Sequence, residues 1–555
     1  MEGGRLADRR DMSSGGAAAG RARGVAGGLV IGLAGVWALV IGVVFAWRIG
    51  FPLELEWMEG GALHQALRVQ EGLGVYGAPS VDFVPFLYPP LYPALLAALG
   101  WALPLGYALG RAVSVAAVVG VAVALWQAAG QEGKPRAHRA AAAGLFLAGY
   151  VFTFRWYDLA RADSLMLALV IGSVVVLRGA GAGWRRPVVA GLLAAAAFWT
   201  KQTAAVLIVA GGAAALAAAP RRMLRTVAIE AGVVAALVLG GLWAGSASTD
   251  GWLWTYLFEL HQDHAFNHER FTRKTWGMFA HAAPFVAAAL MVALGTWLKR
   301  HVGRAAAGEG DERGPSGEAL RYWGVLAVAG LAVSALGYST QWAEPNAFMP
   351  GVALGAALVA VSLPVGGRAE AVGLGLCAAQ LLFALAVEPA YQPIQDAGWG
   401  VEPLRRSYRW QDPWRTLPRP EAWARAAALR RELAASAGEV LALHRPWWSV
   451  LAGGRGHVGA MGLRDVAAVD QARLRGELRR RVAAGEYAAI WLEGEPPGWL
   501  RGALVGRYRL VRRLEGEARV LPLSGYMSEA GMVTPYRGDQ RLYVRREAGE
   551  AAAGE

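Results

Sequence analysis

The chain has 555 residues, of which 55% are hydrophobic and 17% charged, and this charged fraction is well below the roughly 25% of soluble domains. Its apolar residues form blocks of about twenty with almost no charge, the length of a helix that crosses a bilayer, which argues against a soluble protein. The formal net charge of +13 is scattered in short clusters without the basic stripe of a nucleic-acid-binding protein, so no nucleic-acid partner is expected.

Windows of about twenty apolar residues predict a polytopic α-helical membrane protein with about eleven transmembrane helices. The first follows a basic N-terminus and has no small-residue cleavage site behind it, so we interpret it as an uncleaved helix after a cytoplasmic tail at 1–25. The predicted spans are 26–47, 108–129, 138–152, 163–178, 188–200, 203–219, 227–247, 277–298, 322–338, 348–364 and 371–387.

Basic clusters occupy alternate loops, as the positive-inside rule predicts for loops that face the cytoplasm. This pattern predicts a protein of the cell (plasma or inner) membrane with its N-terminus in the cytoplasm. It places the first outer loop, 48–107, on the extracytoplasmic side. The assignment requires 89–103 to lie as an interfacial or re-entrant helix that does not cross. The single cysteine, Cys377, lies in an apolar run, which excludes an intramolecular disulfide and a multi-cysteine metal site.

The chain changes character after the last span, at the end of a transmembrane domain predicted at 26–388. Helical and strand-like patterns then alternate, which predicts a small soluble α/β domain at 389–547. We expect this domain to be extracytoplasmic, because long domains translocate regardless of their charge. Its predicted helices and strands are helices 421–436 and 472–484 and strands 440–444, 487–492, 508–514 and 542–545, with a disordered tail at 548–555.

Three acidic residues, Glu54, Glu56 and Glu59, follow the first span among apolar neighbours. Burial and neighbouring like charge both raise the pKa of a carboxyl group, which suits a general base. Carboxylates held at membrane depth are costly and usually have a function. The alternative is that they are solvated acids of an ordinary loop.

Further polar residues follow in the predicted outer loops. Tyr88 lies in a proline- and aromatic-rich segment that would line a groove for a lipid or sugar, or only anchor the interface. Arg161 and Asp163 belong to a run of four charges that could hold a phosphate, the alternative being Arg–Asp pairing that joins helices. Lys201 adds a cation between apolar runs.

A histidine-rich segment contains His261, His264 and His268. Its histidines could bind zinc, but neighbouring Arg and Lys side chains repel a cation, so we favour contact of His264 with a phosphate or an acceptor. Asn346, at the start of a later span, could bind sugar hydroxyls or cap the helix. Motifs of hydrolases and kinases are absent from the sequence.

Together these features resemble the GT-C superfamily of membrane glycosyltransferases, in particular the branch of protein O-mannosyltransferases and aminoarabinose transferases. The resemblance covers about the first 390 residues. It rests on the first-loop acids, the pair Gly72 and Tyr76, the run Tyr88-Pro-Pro-Leu91, Arg111, Arg161-Ala-Asp163, Thr200-Lys-Gln-Thr203, Asn346 and the soluble C-terminal region.

The resemblance implies transfer of a sugar from a polyprenyl-phosphate donor to an acceptor hydroxyl on the outer face, with inversion at the anomeric carbon. It implies that a first-loop carboxylate is the base; Glu59 matches best by position and Glu56 is second. Arg161, Lys201 and Arg111 would resemble the ligands of the donor phosphate. The sugar, the acceptor (a protein, a glycan or a lipid) and a divalent metal are left open.

Two other classes of function remain as alternatives. A transporter or flippase for a lipid-linked saccharide would also carry charges in the membrane, although transporters tend to have paired repeats with helices broken at midplane. The sequence shows neither feature. A non-catalytic scaffold that presents the C-terminal domain is the third interpretation.

Overall fold

The computed structural model describes residues 3–262, 264–302, 316–341, 343–389, 408–410, 412, 415–436, 438–520, 522–525 and 539–547. The regular elements of its N-terminal half are all helices. The first helices in chain order are α1 Gly3–Ile49, α2 Glu59–Gln70, α3 Leu91–Leu99, α4 Tyr107–Gln131, α5 Arg136–Ala148, α6 Ala162–Arg178, α7 Arg185–Thr200, α8 Ala204–Ala218 and α9 Pro220–Ser248.

The remaining helices of the membrane region follow a segment of short helical turns at 252–262 and 270–274. A single 3₁₀ turn, Pro345–Phe348, precedes the penultimate helix. The longer helices are Thr275–Ala282, Pro284–Val302, Gly317–Tyr338, Met349–Ser362 and Gly367–Ala386.

Every predicted span overlaps one of these helices. Within the described residues, six helices are long and apolar enough to cross a bilayer by themselves. The chain is therefore a multi-pass membrane protein. Helices α5 to α8 have only 13 to 17 residues, so the count of eleven crossings stays a prediction.

One expectation about an individual helix is corrected. The predicted span 277–298 is not one straight helix, because it is broken after Ala282 and bends by 87°. Pro284 is the cause, since proline lacks an amide hydrogen and its ring clashes with the preceding turn. The cytoplasmic tail at 1–25 stays a prediction; in the structure α1 begins at Gly3 and runs unbroken into the first span.

The short helix α3 lies where 89–103 is expected to be interfacial. It has nine residues and is therefore about 14 Å long at 1.5 Å per residue, less than half of the roughly 30 Å hydrocarbon core. Its side chains pack with those of α2 in one apolar cluster that includes Leu63, Ala66, Tyr92 and Leu96. This length agrees with a helix that does not cross.

The C-terminal region contains a four-stranded mixed sheet in the order β3-β4-β6-β5, formed by β3 Val440–Ala442, β4 Ala489–Glu493, β5 Tyr508–Leu514 and β6 Gln540–Arg545. β3 and β4 are parallel and the other pairs antiparallel. The helices Pro420–Ala434, Ala468–Ala484 and Gly498–Arg507 accompany the sheet, and a separate two-stranded ladder joins β1 Val387–Pro389 to β2 Tyr408–Trp410. The tail predicted at 548–555 lies outside the described residues.

Candidate active site

Glu59 and Arg111 form an ion pair that is fully shielded from solvent. Nε and Nη2 of Arg111 donate to the two carboxylate oxygens of Glu59 at 2.9 and 2.7 Å, and neither side chain is exposed. The guanidinium group also donates to the carbonyls of Phe51 and Leu53, both at 2.6 Å. The loop that follows α1 is therefore wound around one cation.

The Glu59 carboxylate is occupied on both oxygens. Besides Arg111, it accepts hydrogen bonds from the amides of Leu55 and Ala160 at 2.7 and 2.8 Å. Burial alone would raise the pKa of Glu59, but the charge of Arg111 and these hydrogen bonds lower it. A general base needs the opposite shift and an accessible oxygen. The geometry thus favours a supporting role for Glu59, although the sequence resemblance made it the first candidate for the base. It favours a supporting role for Arg111 as well, which the resemblance gave as a ligand of the donor phosphate.

Glu56 is buried but incompletely paired. Its Oε2 accepts hydrogen bonds from Nη1 of Arg161 and the amide of Met58, both at 3.2 Å, whereas Oε1 has no hydrogen-bond partner within the described part of the chain. Burial raises the pKa of Glu56 to about 8; the charge of Arg161 opposes the shift, and those of Glu344 and Glu59 add to it. Glu56 therefore combines a raised pKa with one buried oxygen that no described residue binds, and both properties make it a better candidate for the general base than Glu59.

Glu54, the third acid of the loop, joins the loop to the C-terminal region. Its Oε1 accepts a hydrogen bond from the Tyr107 hydroxyl at 2.6 Å. Its Oε2 accepts from Nε1 of Trp448 at 2.9 Å and Nη1 of Arg445 at 3.3 Å. Because these donors surround a carboxylate with no exposed surface, Glu54 is suited to holding two parts of the fold together.

Arg161 lies beside Glu56 among aromatic rings. Its guanidinium carbon is 5.3, 5.8 and 5.9 Å from the ring centroids of Trp156, Tyr88 and Phe86, and only 4% of the residue is exposed. A cation in such a low-dielectric setting interacts with an anion far more strongly than it would in water. Arg161 is therefore placed to stabilise negative charge that develops next to Glu56.

Asp163 organises the second half of the site. Its Oδ1 accepts hydrogen bonds from Nζ of Lys201 at 2.6 Å and Nδ2 of Asn346 at 2.9 Å. Its Oδ2 accepts from Nε1 of Trp156 at 2.9 Å. Three distant parts of the chain thus meet at one carboxylate. Lys201 keeps two further N–H groups with which to bind a ligand.

Tyr88 connects the two halves. Its ring lies 5.3 Å from Nζ of Lys201, in addition to its contact with Arg161. The backbone around it is fixed, because Nε2 of Gln202 donates to the carbonyl of Leu87 at 2.7 Å and Nε2 of His261 lies 2.8 Å from the same oxygen. We define Glu56, Arg161, Asp163, Lys201 and Tyr88 as the Glu56 cluster.

His264 lies further from the Glu56 cluster than His261 does. Its imidazole packs edge-on against that of His261, with centroids 5.6 Å apart, and it is His261 that touches the backbone of the Glu56 cluster. No three His, Cys, Asp or Glu side chains come together as a metal site in the described residues. Asp263, part of the histidine-rich segment, lies outside them.

Two residues that are not among the predicted site residues border the Glu56 cluster. Glu344 is 9% exposed, and its charge acts on Glu56. Gly525 packs closely on Glu344, and a Cβ at this position would lie 2.6 Å from Oε2 of Glu344. Its φ of +80° is also a conformation that other residues rarely adopt. Both the space and the backbone conformation therefore require glycine. Glu344 stands two residues before Asn346, and that spacing was the available signal; the placement of Gly525 had none.

The architecture matches that of solved structures. A crystal structure of ArnT from Cupriavidus metallidurans in the apo state has a TM-score of 0.58 and 13% identity, covering 92% of this chain and 97% of that one. The same protein bound to undecaprenyl phosphate has a TM-score of 0.54 and 13% identity, covering 94% and 99%. A family model, Glycosyltransferase family 87, matches residues 86–307.

The resemblance to the GT-C membrane glycosyltransferases is confirmed. At this identity the ArnT structures establish the shared fold. The family match is independent of them and includes Tyr88, Arg161, Asp163 and Lys201, whereas Glu56 precedes it. A comparison with curated protein sequences gave no match.

Proposed function

We propose that this protein is an integral membrane glycosyltransferase that moves a sugar from a polyprenyl-phosphate donor to an acceptor hydroxyl. The family match and the fold shared with ArnT, one structure of which holds undecaprenyl phosphate, support this class of reaction. The observation that carries the proposal is the buried Glu56, one oxygen of which has no hydrogen-bond partner among the described residues, while Nη1 of Arg161 lies 3.2 Å from the other.

In the proposed reaction the acceptor hydroxyl gives its proton to Oε1 of Glu56 as its oxygen attacks the anomeric carbon. A new carbon–oxygen bond forms while the bond from that carbon to the phosphate oxygen breaks. The electron pair leaves with the polyprenyl phosphate, whose added charge is stabilised by Arg161 and Lys201. Attack opposite the leaving group inverts the anomeric centre.

The other residues of the proposed site position these groups. Asp163 orients Lys201, and Asn346 and Trp156 hold Asp163 in turn. Tyr88 supplies an aromatic surface beside both cations. His264 stays a proposed contact for phosphate or acceptor.

We place the Glu56 cluster on the extracytoplasmic side of the cell membrane, with the N-terminus in the cytoplasm. The basic clusters of alternate loops support this orientation. The C-terminal domain, 389–547, then lies on the same side as the first loop. That arrangement is consistent with the contacts of Glu54 to Arg445 and Trp448.

One observation favours the transporter alternative. A helix is broken at Pro284 in this protein, and broken membrane helices are a feature of many transporters. Here a single side chain closes the break. Oε1 of Gln380 accepts from the amide of Phe285 at 3.2 Å, and its Nε2 donates to the carbonyl of Ala282 at 2.8 Å. The backbone groups released by the break are thus satisfied inside the fold, and the charged residues gather instead around Glu56.

The rate of transfer is expected to rise with pH up to about 8. Glu56 accepts a proton only when it is ionised, and burial raises its pKa to about 8, so the rate below this value falls by about tenfold per pH unit. Measuring kcat at saturating donor between about pH 6 and pH 9 tests this. A profile that is flat across this range would show that the base is a different group.

Replacing Lys201 by Ala is expected to raise KM for the donor by about 10- to 100-fold, the loss of one charge-assisted hydrogen bond. Lys134 provides a control, because it is a buried lysine, whereas the Lys201 side chain is 14% exposed, and it donates to the carbonyl of Leu363 away from the Glu56 cluster. Steady-state kinetics of Lys201→Ala and Lys134→Ala compare the two. An equal effect of both changes would point to general destabilisation rather than to donor binding.

The function itself is tested by mass spectrometry of envelope glycans, glycoproteins and glycolipids from cells with and without the gene. We expect one sugar modification to disappear and to return with the wild-type gene but not with Glu56→Gln. Unchanged glycans in the deletion strain would contradict the proposal.

A further inference from the structure

A short segment of the C-terminal region, 522–525, lies against the Glu56 cluster although it is far from Glu56 in the sequence. All four of its residues are buried. The chain just before it is fixed to the sheet, because the amide of Val520 donates to Oε1 of Gln540 at 2.9 Å and its carbonyl accepts from Nε2 of the same side chain at 3.0 Å. Gln540 is the first residue of β6. The 522–525 segment is therefore a connection from the sheet of the C-terminal region to the proposed active site.

The first contact of the 522–525 segment fixes the residue that precedes Glu56. The amides of Leu523 and Ser524 both donate to the carbonyl of Leu55, at 2.9 and 2.8 Å. The amide of Leu55 in turn donates to Oε2 of Glu59 at 2.7 Å. Both backbone polar groups of Leu55 are thus bound, one by Glu59 and the other by the segment. The backbone that carries Glu56 is therefore held from both sides.

The second contact supports a turn that precedes Arg161. Phe154 and Arg155 have φ values of 56° and 60°, a left-handed conformation that is unfavourable for residues with a Cβ. The Ser524 hydroxyl donates to the carbonyl of Arg155 at 2.9 Å and accepts from Nη2 of Arg48 at 2.7 Å. Such a conformation persists only where the surrounding structure holds it. Ser524, which is 1% exposed, is one of the groups that hold it.

The third contact is with Glu344. A Cβ on Gly525 would lie 2.6 Å from Oε2 of Glu344, and the amide of Gly525 donates to the carbonyl of Phe154 at 3.4 Å. The charge of Glu344 acts on both Glu56 and Arg161. A side chain at position 525 would therefore push on a carboxylate that belongs to the surroundings of the proposed base.

We propose, resting on the transferase function above, that the 522–525 segment is a positioning element of the active site, with Ser524 and Gly525 as its positioning residues. The segment ties the loop of Glu56 to the turn that leads to Arg161. It thereby sets the distance between the proposed base and the cation that stabilises the leaving phosphate. Because a misplacement of about 1 Å can cost about 10²-fold in rate, this connection gives the C-terminal region a part in catalysis.

Ser524→Ala tests the contact with the turn. It removes both hydrogen bonds of the hydroxyl but keeps the amide that binds Leu55, so the protein should fold. Transfer is measured on the full-length protein in lipid nanodiscs, with the radiolabelled polyprenyl-phosphate sugar that wild type cleaves fastest. We expect kcat to fall by about 10- to 100-fold. KM for this donor should change less, because Lys201 is oriented by Asp163 and Asn346.

Ser173→Ala is the matched control for this change. Ser173 is also buried, 4% exposed, and its hydroxyl donates to the carbonyl of Ala190 at 2.9 Å, between α6 and α7. Its replacement should lower the melting temperature but leave kcat near the wild-type value. Equal losses of kcat in the two variants would overturn the inference, because the effect would then be one of general stability.

Gly525→Ala tests the contact with Glu344, and Gly453→Ala is its matched control. The φ of Gly453 is +84°, close to the +80° of Gly525, but a Cβ on Gly453 would have no atom within 4 Å. Both changes therefore strain the backbone alike, whereas only Gly525→Ala presses on Glu344. We expect kcat to fall about tenfold further in Gly525→Ala than in Gly453→Ala. The same kcat in both variants would contradict a positioning role for Gly525.

Hydrogen exchange followed by mass spectrometry tests the positioning without a donor. Peptides that cover 51–60 and 150–163 should exchange about tenfold faster in Ser524→Ala than in wild type or Ser173→Ala. Unchanged exchange of these peptides, or faster exchange combined with wild-type kcat, would overturn the inference. If wild type cleaves no donor, the proposed function fails, whereas the exchange rates still decide whether the 522–525 segment holds the two loops.

Discussion

Glu56→Gln is expected to lower the rate of sugar transfer by roughly 10²- to 10⁴-fold, the usual contribution of a general base. The amide keeps the size of the carboxylate and can still accept the hydrogen bond from Met58, so the protein should fold. Donor binding should change little, because the donor phosphate is assigned to Arg161 and Lys201. Steady-state transfer kinetics and the melting temperature in detergent measure the two effects separately.

Glu370→Gln is the matched control for this change. Glu370 is also a buried glutamate, 4% exposed, but its Oε2 accepts from the backbone amide of Gly366, away from the Glu56 cluster. Its replacement should leave transfer near the wild-type rate. A Glu56→Gln protein that transfers sugar as fast as this control would remove Glu56 from the mechanism.

Arg111→Met is expected to destabilise the protein by about 3–5 kcal/mol, because it leaves the carboxylate of Glu59 buried without its partner. Glu59→Gln should be costly for the converse reason. Both changes release the loop that carries Glu56, so activity should fall with stability. Unfolding in detergent, followed by heat or by denaturant, measures the loss.

The double variant Glu59→Gln/Arg111→Met provides the decisive comparison. If the pair is structural, its loss of stability should be smaller than the sum of the two single losses, because neither charge is then left alone. A Glu59→Gln protein that is as stable as wild type but inactive would instead return the role of base to Glu59.

Much of the fold could be predicted, because apolar length alone locates helices in a membrane protein. Each predicted span therefore overlaps a helix of the structure. Averaging over a window hides the position of a single residue, which is why the break at Pro284 was missed although the proline was visible. The alternating pattern of the C-terminal region likewise placed β3 to β6 correctly within a few residues.

The sequence could indicate which residues belong to the site, but not which of them form ion pairs with one another. The sequence indicated Arg161, Asp163 and Lys201 as a cluster, and the structure brings them together. Nothing in the spacing of Glu56 and Glu59 shows that Arg111, 52 residues after Glu59, pairs with Glu59, or that one oxygen of Glu56 has no partner among the described residues. Such pairings depend on how helices pack, which a single sequence does not record.

The most direct test is to incubate the purified protein in nanodiscs with a panel of radiolabelled polyprenyl-phosphate sugars and an envelope extract as the source of acceptor. Mass spectrometry follows release of polyprenyl phosphate, and the label reports transfer. We predict that one donor is cleaved and its sugar transferred by wild type, and by Glu56→Gln only at a small fraction of that rate. A donor that crosses the membrane intact, with its sugar–phosphate bond unbroken, would contradict the account.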